Sequence, residues 1–253
     1  VPVLACSRRL SFPERATGGW WWIWRWRFEF LMGWLEPESL AVCRRFIRPG
    51  MTVVDIGAHI GYYTRFFSHW VGRGGRVLAF EPNPENFAVL QRNLAGTKYA
   101  NVELFPMAVS AQDGVLPLYV SPGHSNHSLL AGYTPGQDVI EVKTTTLDSF
   151  LAARGGARVD FLKCDAEGAE PLVLAGMRET IARSPWLNLL MEYNPPALRC
   201  GDTPPREFLG RLERAGFDVR AILPNGLLAP VSGEGDESFN IFCRGSANTA
   251  PPD

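Results

Sequence analysis

A chain of 253 residues with a net charge of −1 has room for one large α/β domain, or for such a domain with an appendage, and shows no general grip on nucleic acid. Its five cysteines are scattered, odd in number and never spaced C-x-x-C, which argues against a zinc centre or a disulfide framework and for a reducing compartment. No apolar run reaches the roughly 20 residues of a membrane span, and no basic-then-apolar leader with a small-residue cleavage site stands at the start, so the expectation is a cytoplasmic protein with no stable membrane insertion.

Residues 1 to about 19 are mixed in character, with Pro2, Pro13, Gly18 and Gly19, and read as a weakly ordered arm. From Trp20 to Phe30 large aromatics recur at every second position, opposite a face that carries Arg25, Arg27 and Glu29. Period two predicts a strand. It either covers the core, walls an apolar substrate pocket, or makes a homodimer contact. A helix over Leu40–Ile47 then stops at Pro49-Gly50.

Strands and helices alternate beyond this point, which implies a parallel sheet. Strands are expected at 52–56, 76–80, 102–106, 159–164 and 187–192, with helices at 61–71, 84–94, up to about 177, and 205–215. Two further strands, Val115–Val120 and Val139–Thr146, flank a polar loop that holds His124 and His127, and a short helix begins at Leu147. Val219–Leu223 and Phe239–Cys243 form a terminal antiparallel pair. The expected fold is α/β: a Rossmann-like sheet, mostly parallel with a terminal antiparallel hairpin, an N-terminal aromatic extension and a β-hairpin insertion. The expected division is an N-terminal arm, strand and helix at 1–48, a cofactor-binding domain at 49–245, and a disordered tail at 246–253.

The first strand runs into Asp55-Ile56-Gly57-Ala58-His59-Ile60-Gly61, and the second ends in Glu81. Glycines let the backbone approach a ligand closely, and an acid at the second strand's tip accepts from both hydroxyls of a ribose. A dinucleotide site wants G-x-G-x-x-G so that a helix N-terminus meets a pyrophosphate. Here the spacing is G-x-x-x-G, with the imidazole of His59 where the second glycine belongs, and Asp55 precedes Gly57 by two. A cationic, phosphate-free adenosyl ligand fits this pattern, which is S-adenosylmethionine, with S-adenosylhomocysteine as product. The bland alternative is a βα turn whose glycines only permit tight packing.

Together with Tyr62-Tyr63-Thr64, Phe80-Glu81-Pro82-Asn83-Pro84, Thr145-Thr146-Leu147-Asp148 and Lys163-Cys164-Asp165-Ala166-Glu167-Gly168-Ala169-Glu170, this segment resembles the FkbM family of S-adenosylmethionine-dependent methyltransferases over roughly residues 36–243. His59 departs from the family, where Asn is usual. The resemblance implies cofactor contacts at Asp55, Gly57, His59, Gly61, Tyr62, Glu81, Pro82, Asn83, Ala108 and Asp165. It further implies that the α/β sheet is a Rossmann-like class I methyltransferase sheet, and that the reaction is methylation of a hydroxyl on a small molecule, of the sugar or polyketide type.

An alcohol must lose its proton as the new bond forms, so a general base is needed. Asp165, Glu192 and His127 are the candidates. Asp165 and Glu192 end strands on the side where open α/β sheets bind ligands, and His127 sits on the polar loop with a ring suited to neutral pH. Asp165 has a second reading as the cap of the following helix. Glu167 and Glu170 read as favourable charges at that helix's start, and Lys163 as a structural ion pair. Asp165 and Glu192 together make a weaker case for a divalent metal; no metal is assigned. The rival functions are an N-methyltransferase, or a catalytically silent cofactor-binding protein that uses its aromatic strand for protein interaction.

Overall fold

The computed structural model describes residues 35–121, 126–133, 138–233 and 235–247. The aromatic strand expected at 20–30, the N-terminal arm, His124 and residues 248–253 lie outside them. In chain order the elements are α1 (Pro37–Phe46), β1 (Thr52–Ile56), α2 (Tyr62–Val71), β2 (Arg76–Phe80), α3 (Pro84–Asn93), β3 (Val102–Phe105), β4 (Ala108–Val109), β5 (Gly114–Val120), β6 (Asp138–Thr145), α4 (Leu147–Ala152), β7 (Phe161–Cys164), α5 (Glu170–Ala175), α6 (Arg178–Arg183), β8 (Asn188–Tyr193), α7 (Pro195–Cys200), α8 (Pro205–Arg214), β9 (Phe217–Ile222), β10 (Leu228–Pro230) and β11 (Phe239–Gly245).

The main sheet runs β10-β9-β11-β8-β7-β1-β2-β3. Strands β3, β2, β1, β7 and β8 are parallel, and β11, β9 and β10 are antiparallel additions. The chain builds β2 and β3 on one side of β1, then crosses back to lay β7 on the other. That reversal is the switch point at which open α/β sheets bind ligands. The expected terminal pair is present, with one refinement: the tight hairpin is β9–β10, and β11 inserts between β8 and β9.

Alternation along the parallel strands fills both faces, as a doubly covered sheet requires. Val54, Ile56, Leu78, Phe80, Leu162 and Leu189 join one core with Leu147, Phe150, Val173 and Phe208. Val53, Val77, Phe161 and Leu190 join the other, against α1 (Leu40, Val42, Cys43) and α2 (Tyr63, Phe67, Val71). Each such side chain, fully buried, contributes about 1.5–3 kcal/mol. Parity also puts Asp55 and Lys163 on the second face, and the β1–β7 register places them directly opposite each other.

The insertion is a small sheet of order β4-β6-β5, extended by a bridge between Tyr119 and Ser128. Its end is anchored by the Thr145-Thr146-Leu147-Asp148 segment. Thr146 caps α4 by accepting from the Ser149 N–H at 3.0 Å. Asp148 accepts from the N–H and hydroxyl of Thr180, each at 2.7 Å, and from the N–H of Glu179 at 3.0 Å, which ties α4 to the start of α6. This motif is architectural and lines no part of the cleft described next. Among the described residues no helix is long and apolar enough to cross a membrane.

Candidate active site

At the carboxyl end of β1 the chain turns sharply. Gly57 adopts φ 70° and Gly61 φ 92°, while His59 is held at φ 52°, unusual for a residue with a side chain. The N–H groups of Gly57 and Ala58 both donate to the Phe80 carbonyl, at 3.1 and 2.9 Å, so the turn is pinned to the tip of β2. Thr64, on α2, donates to Asp55 Oδ2 at 2.6 Å.

At the tip of β2, Glu81 is 5 % exposed. Its Oε2 accepts from the His59 N–H at 2.8 Å and its Oε1 from the Asn83 N–H at 2.9 Å. Burial pushes this carboxyl up to about 7, against the opposing pull of those two N–H groups. Asn83 caps α3, accepting from Glu85 and Asn86 N–H groups.

At the tip of β7, the Asp165 N–H donates to the Ile56 carbonyl at 3.1 Å. Lys163 reaches back between the strands. Its Nζ donates to the Gly57 carbonyl at 2.9 Å and stands 3.2 Å from Asp165 Oδ2 and 3.8 Å from Asp55 Oδ1. Burial pulls the Lys163 ammonium down, but Asp165 and Asp55 outweigh it and hold the group charged with a raised pKa. The structural ion pair expected for Lys163 is present.

The segment after Asp165 differs from its sequence reading. Helix α5 begins at Glu170, and no side chain caps it, so Asp165 is not a helix cap. Glu170 does stand in the first turn of α5, as read from the sequence, and it also accepts the Ala166 N–H at 2.7 Å and braces the loop. Glu167 is not in the helix at all. It sits at φ 50° before Gly168, and Tyr133 of the insertion donates to its carboxylate at 3.2 Å. The Ser128 hydroxyl donates to the Glu167 carbonyl at 2.7 Å, so the insertion is clasped to this loop.

These strand tips enclose a cavity of about 290 Å³. Gly57, His59, Glu81, Pro82, Ala108, His127, Asp165 and Glu192, all named from the sequence, line it. Asp55, Gly61, Tyr62 and Asn83 do not. Asp55 lies beneath the turn, fully buried, with its carboxyl pushed up by burial and held back by Lys163 and Thr64. Gly61 packs under Leu90, and the Tyr62 hydroxyl donates to the Leu35 carbonyl. Three polar lining residues the sequence did not single out for this site are Glu36, Asn86 and Glu167. Glu36 precedes α1 and carries no motif; Glu167 lies inside the Lys-x-Asp-x-Glu motif, which was the available signal.

The polar wall is acidic. Asp165, Glu167 and Glu192 each present an oxygen within 4.8 Å of the others, a set of hard donors that would also suit a divalent cation. Burial first, then Asp165, Glu167 and Glu170, pushes the Glu192 carboxyl up to about 10; burial and Asp165 push Glu167 up to about 8. The His127 ring accepts the Ser121 N–H at Nδ1, 3.0 Å away, so its neutral form carries the proton on Nε2. Among the described lining residues there is no Lys or Arg. An adenosyl ligand does fit, since a buried carboxylate at the tip of β2 faces the cavity beside a glycine turn.

A parallel five-strand core with this reversal, extended by antiparallel strands, and a glycine turn and acid at its switch point define a Rossmann-like S-adenosylmethionine-dependent methyltransferase. A solved methylase from Clostridium thermocellum shares the fold, with a TM-score of 0.50 at 11 % identity over 83 % of this chain and 96 % of the other. The Methyltransferase FkbM domain model matches residues 55–219, and the chain belongs to that family. It is 26 % identical to the 2-O-methyltransferase NoeI of Sinorhizobium fredii, over 79 % of this chain and 87 % of that protein. It is 30 % identical to the 31-O-demethyl-FK506 methyltransferase FkbM of Streptomyces tacrolimicus, over 53 % of this chain and 62 % of the relative. It is also 30 % identical to the methyltransferase sdnD of Sordaria araneosa, over 66 % and 73 %.

Proposed function

We propose that this enzyme methylates a hydroxyl oxygen of a small molecule, a sugar or polyketide-type natural product, with Asp165 as the general base. The observation that carries the reading is the position of Asp165. It crosses from β7 to the wall of the cofactor cavity and is also part of the wall of a second, adjoining cavity. The names of NoeI and FkbM, each an O-methyltransferase, support oxygen as the acceptor atom.

S-adenosylmethionine supplies an electrophilic methyl on a sulfonium. The chain's own work is to orient and to move a proton. Glu81 would hold the ribose, with His59 and Asn83 N–H groups fixing its carboxylate. The Gly57 turn would hold the amino-acid end, above the Asp55–Lys163 pair. Orientation of an acceptor in line with the methyl can supply about 7–11 kcal/mol. Asp165 takes the hydroxyl proton as the carbon–oxygen bond forms, and Lys163 holds that carboxylate in place. His127, with its proton on Nε2, serves as a donor that orients substrate. Glu192 carries a proton at neutral pH and is a donor too.

A second reading of the acid cluster is favoured by its compactness: Asp165, Glu167 and Glu192 could share a divalent cation rather than protons. Dialysis against EDTA followed by addition of magnesium or manganese separates the two, since only the cation reading ties activity to metal. The four described cysteines are free, in keeping with a cytoplasmic setting, and the protein needs no nucleic-acid partner for this chemistry.

The test is incubation with methyl-labelled S-adenosylmethionine and a panel of sugars and polyketide alcohols. Label is expected in an alkali-stable ether. Label in an amine would replace this reading with N-methylation, and stabilisation by S-adenosylhomocysteine without transfer to any acceptor would favour a silent binder.

A further inference from the structure

A second cavity, of about 550 Å³, adjoins the first on the side of α1 and the β9 and β11 ends of the sheet. The two share Glu36, Asp165 and Glu192 in their walls. Glu36 is a strained partition. It is held at φ 47°, where a side chain is disfavoured, by the hydroxyl of Tyr63 and the amide of Asn240, both donating to its Oε2. Asn240 also donates to the buried Ser39 hydroxyl at 3.0 Å. Glu192 Oε2 is a buried carboxyl oxygen with no hydrogen-bond partner among the described residues. Such an atom is costly unless something else meets it.

The charge of this second cavity is one-sided. Glu38 and Glu237 line it beside the three shared acids, and no Lys or Arg does among the described lining residues. Its other polar groups, Ser39, Ser238 and Asn240, are neutral. A carboxylate or phosphate entering here would meet like charge at Glu36, Glu38, Asp165 and Glu237, whereas an ammonium would be drawn in. Hydroxyl groups would find acceptors in the same carboxylates.

Resting on the methyltransferase reading above, we propose that this cavity is the acceptor subsite and that it selects an amino-polyol: a polyhydroxylated molecule carrying a protonated amine. The ammonium sits toward Glu38 and Glu237, and one hydroxyl faces Asp165 at the junction with the cofactor cavity. The placement also fixes which atom reacts. An amine held as ammonium has no lone pair to attack with, so the methyl goes to oxygen. In the transfer, the hydroxyl oxygen forms the bond to the methyl carbon as the carbon–sulfur bond breaks, the electron pair stays on sulfur, and the hydroxyl proton passes to Asp165.

The experiment uses the enzyme saturated with S-adenosylhomocysteine and titrates it with glucosamine, glucose and glucuronate, following thermal stabilisation. The three share one pyranose ring: relative to glucose, glucosamine carries an ammonium at C2 and glucuronate a carboxylate at C6. Glucosamine should half-saturate at a concentration roughly threefold to tenfold below glucose, the range expected of a few solvent-accessible charges, with glucuronate weakest. Added salt should narrow the gap. The double variant Glu38→Gln/Glu237→Gln should bring glucosamine and glucose together, while its retained stabilisation by S-adenosylhomocysteine shows that it is folded. Glucuronate binding as well as glucosamine, an unchanged ranking in the folded double variant, or no response to any of the sugars overturns the proposal and leaves the cofactor reading standing. Absence of stabilisation by S-adenosylhomocysteine itself is the distinct result that takes down both.

Discussion

A Cβ placed on Gly57 would lie 1.9 Å from the carbonyl oxygen of Asp165. The two motifs, more than a hundred residues apart in the chain, therefore meet backbone to backbone at the switch point. Only a residue without a side chain permits it, and the φ of 70° at Gly57 adds to the demand. Gly57→Ala is expected to cost about 1–3 kcal/mol for the strained backbone and a similar amount for overpacking. A thermal melt should register the loss, and binding of S-adenosylhomocysteine should weaken with it, because relief of the clash moves Asp165 away from β1.

Glu81 gives cofactor binding a pH dependence of known sign. Its carboxyl is raised by burial from the ordinary 4.5 to about 7 in the folded protein. Two ribose hydroxyls need the ionised form as acceptor, so binding must expel a proton below pH 7. The dissociation constant for S-adenosylhomocysteine is expected to fall about tenfold between pH 6 and 8, following the ionised fraction. Glu81→Gln should bind weakly and without this slope. In the free protein the linkage runs the other way: a folded pKa above the unfolded one contributes stability below about pH 4.5, which is lost as pH rises through 7. Calorimetric titration over this range measures the slope.

Lys163 is 5 % exposed and faces Asp55, which is fully buried. Removing the cation leaves Asp55 charged, enclosed and beside Asp165. Lys163→Met is expected to lower stability by about 3–5 kcal/mol near neutral pH, the range for one partner of a buried pair. The raised Lys163 ammonium contributes its stability throughout the range below the ordinary lysine pKa of 10.5 and loses it only as pH rises through its higher folded value. In the variant, Asp55 recovers by taking up a proton, so the gap from wild type should narrow as pH falls toward 4. Urea denaturation at pH 5 and pH 8 compares them.

What could be read from the residues alone follows a physical line. Period-two burial and short βα turns are local properties, so strands β1, β2 and β7 could be placed by parity. The tips of those strands then converge because the sheet is parallel. Glu36 was invisible to such reading. It reaches the cavity only because α1 folds back along the sheet, and its strained backbone is imposed by Tyr63 and Asn240, distant in sequence. Helix counting misled the reading of Glu167: the helix starts later than the residue, and a positive φ turns it into the cleft. Glu36, His59 and Glu167, each with a side chain at positive φ, all line the same cavity. Strain concentrates where structure over-determines a site, a signal that exists only in three dimensions.

Asp165 and Glu192 both line the cavity, yet their replacements should behave differently. Asp165 lies against the charged Lys163 and takes the proton in the proposed step. Asp165→Asn removes the base while keeping shape, and kcat should fall by roughly 10²–10⁴. Glu192 is already protonated at neutral pH, because burial and then Asp165, Glu167 and Glu170 raise it to about 10. Its amide is the closest neutral mimic of that state. Glu192→Gln should therefore change kcat by less than about threefold at pH 7, small beside the general-base effect. Steady-state rates for both variants, with an acceptor identified by methyl labelling, decide the matter. A large fall for Glu192→Gln with little change for Asp165→Asn would move the base from β7 to β8.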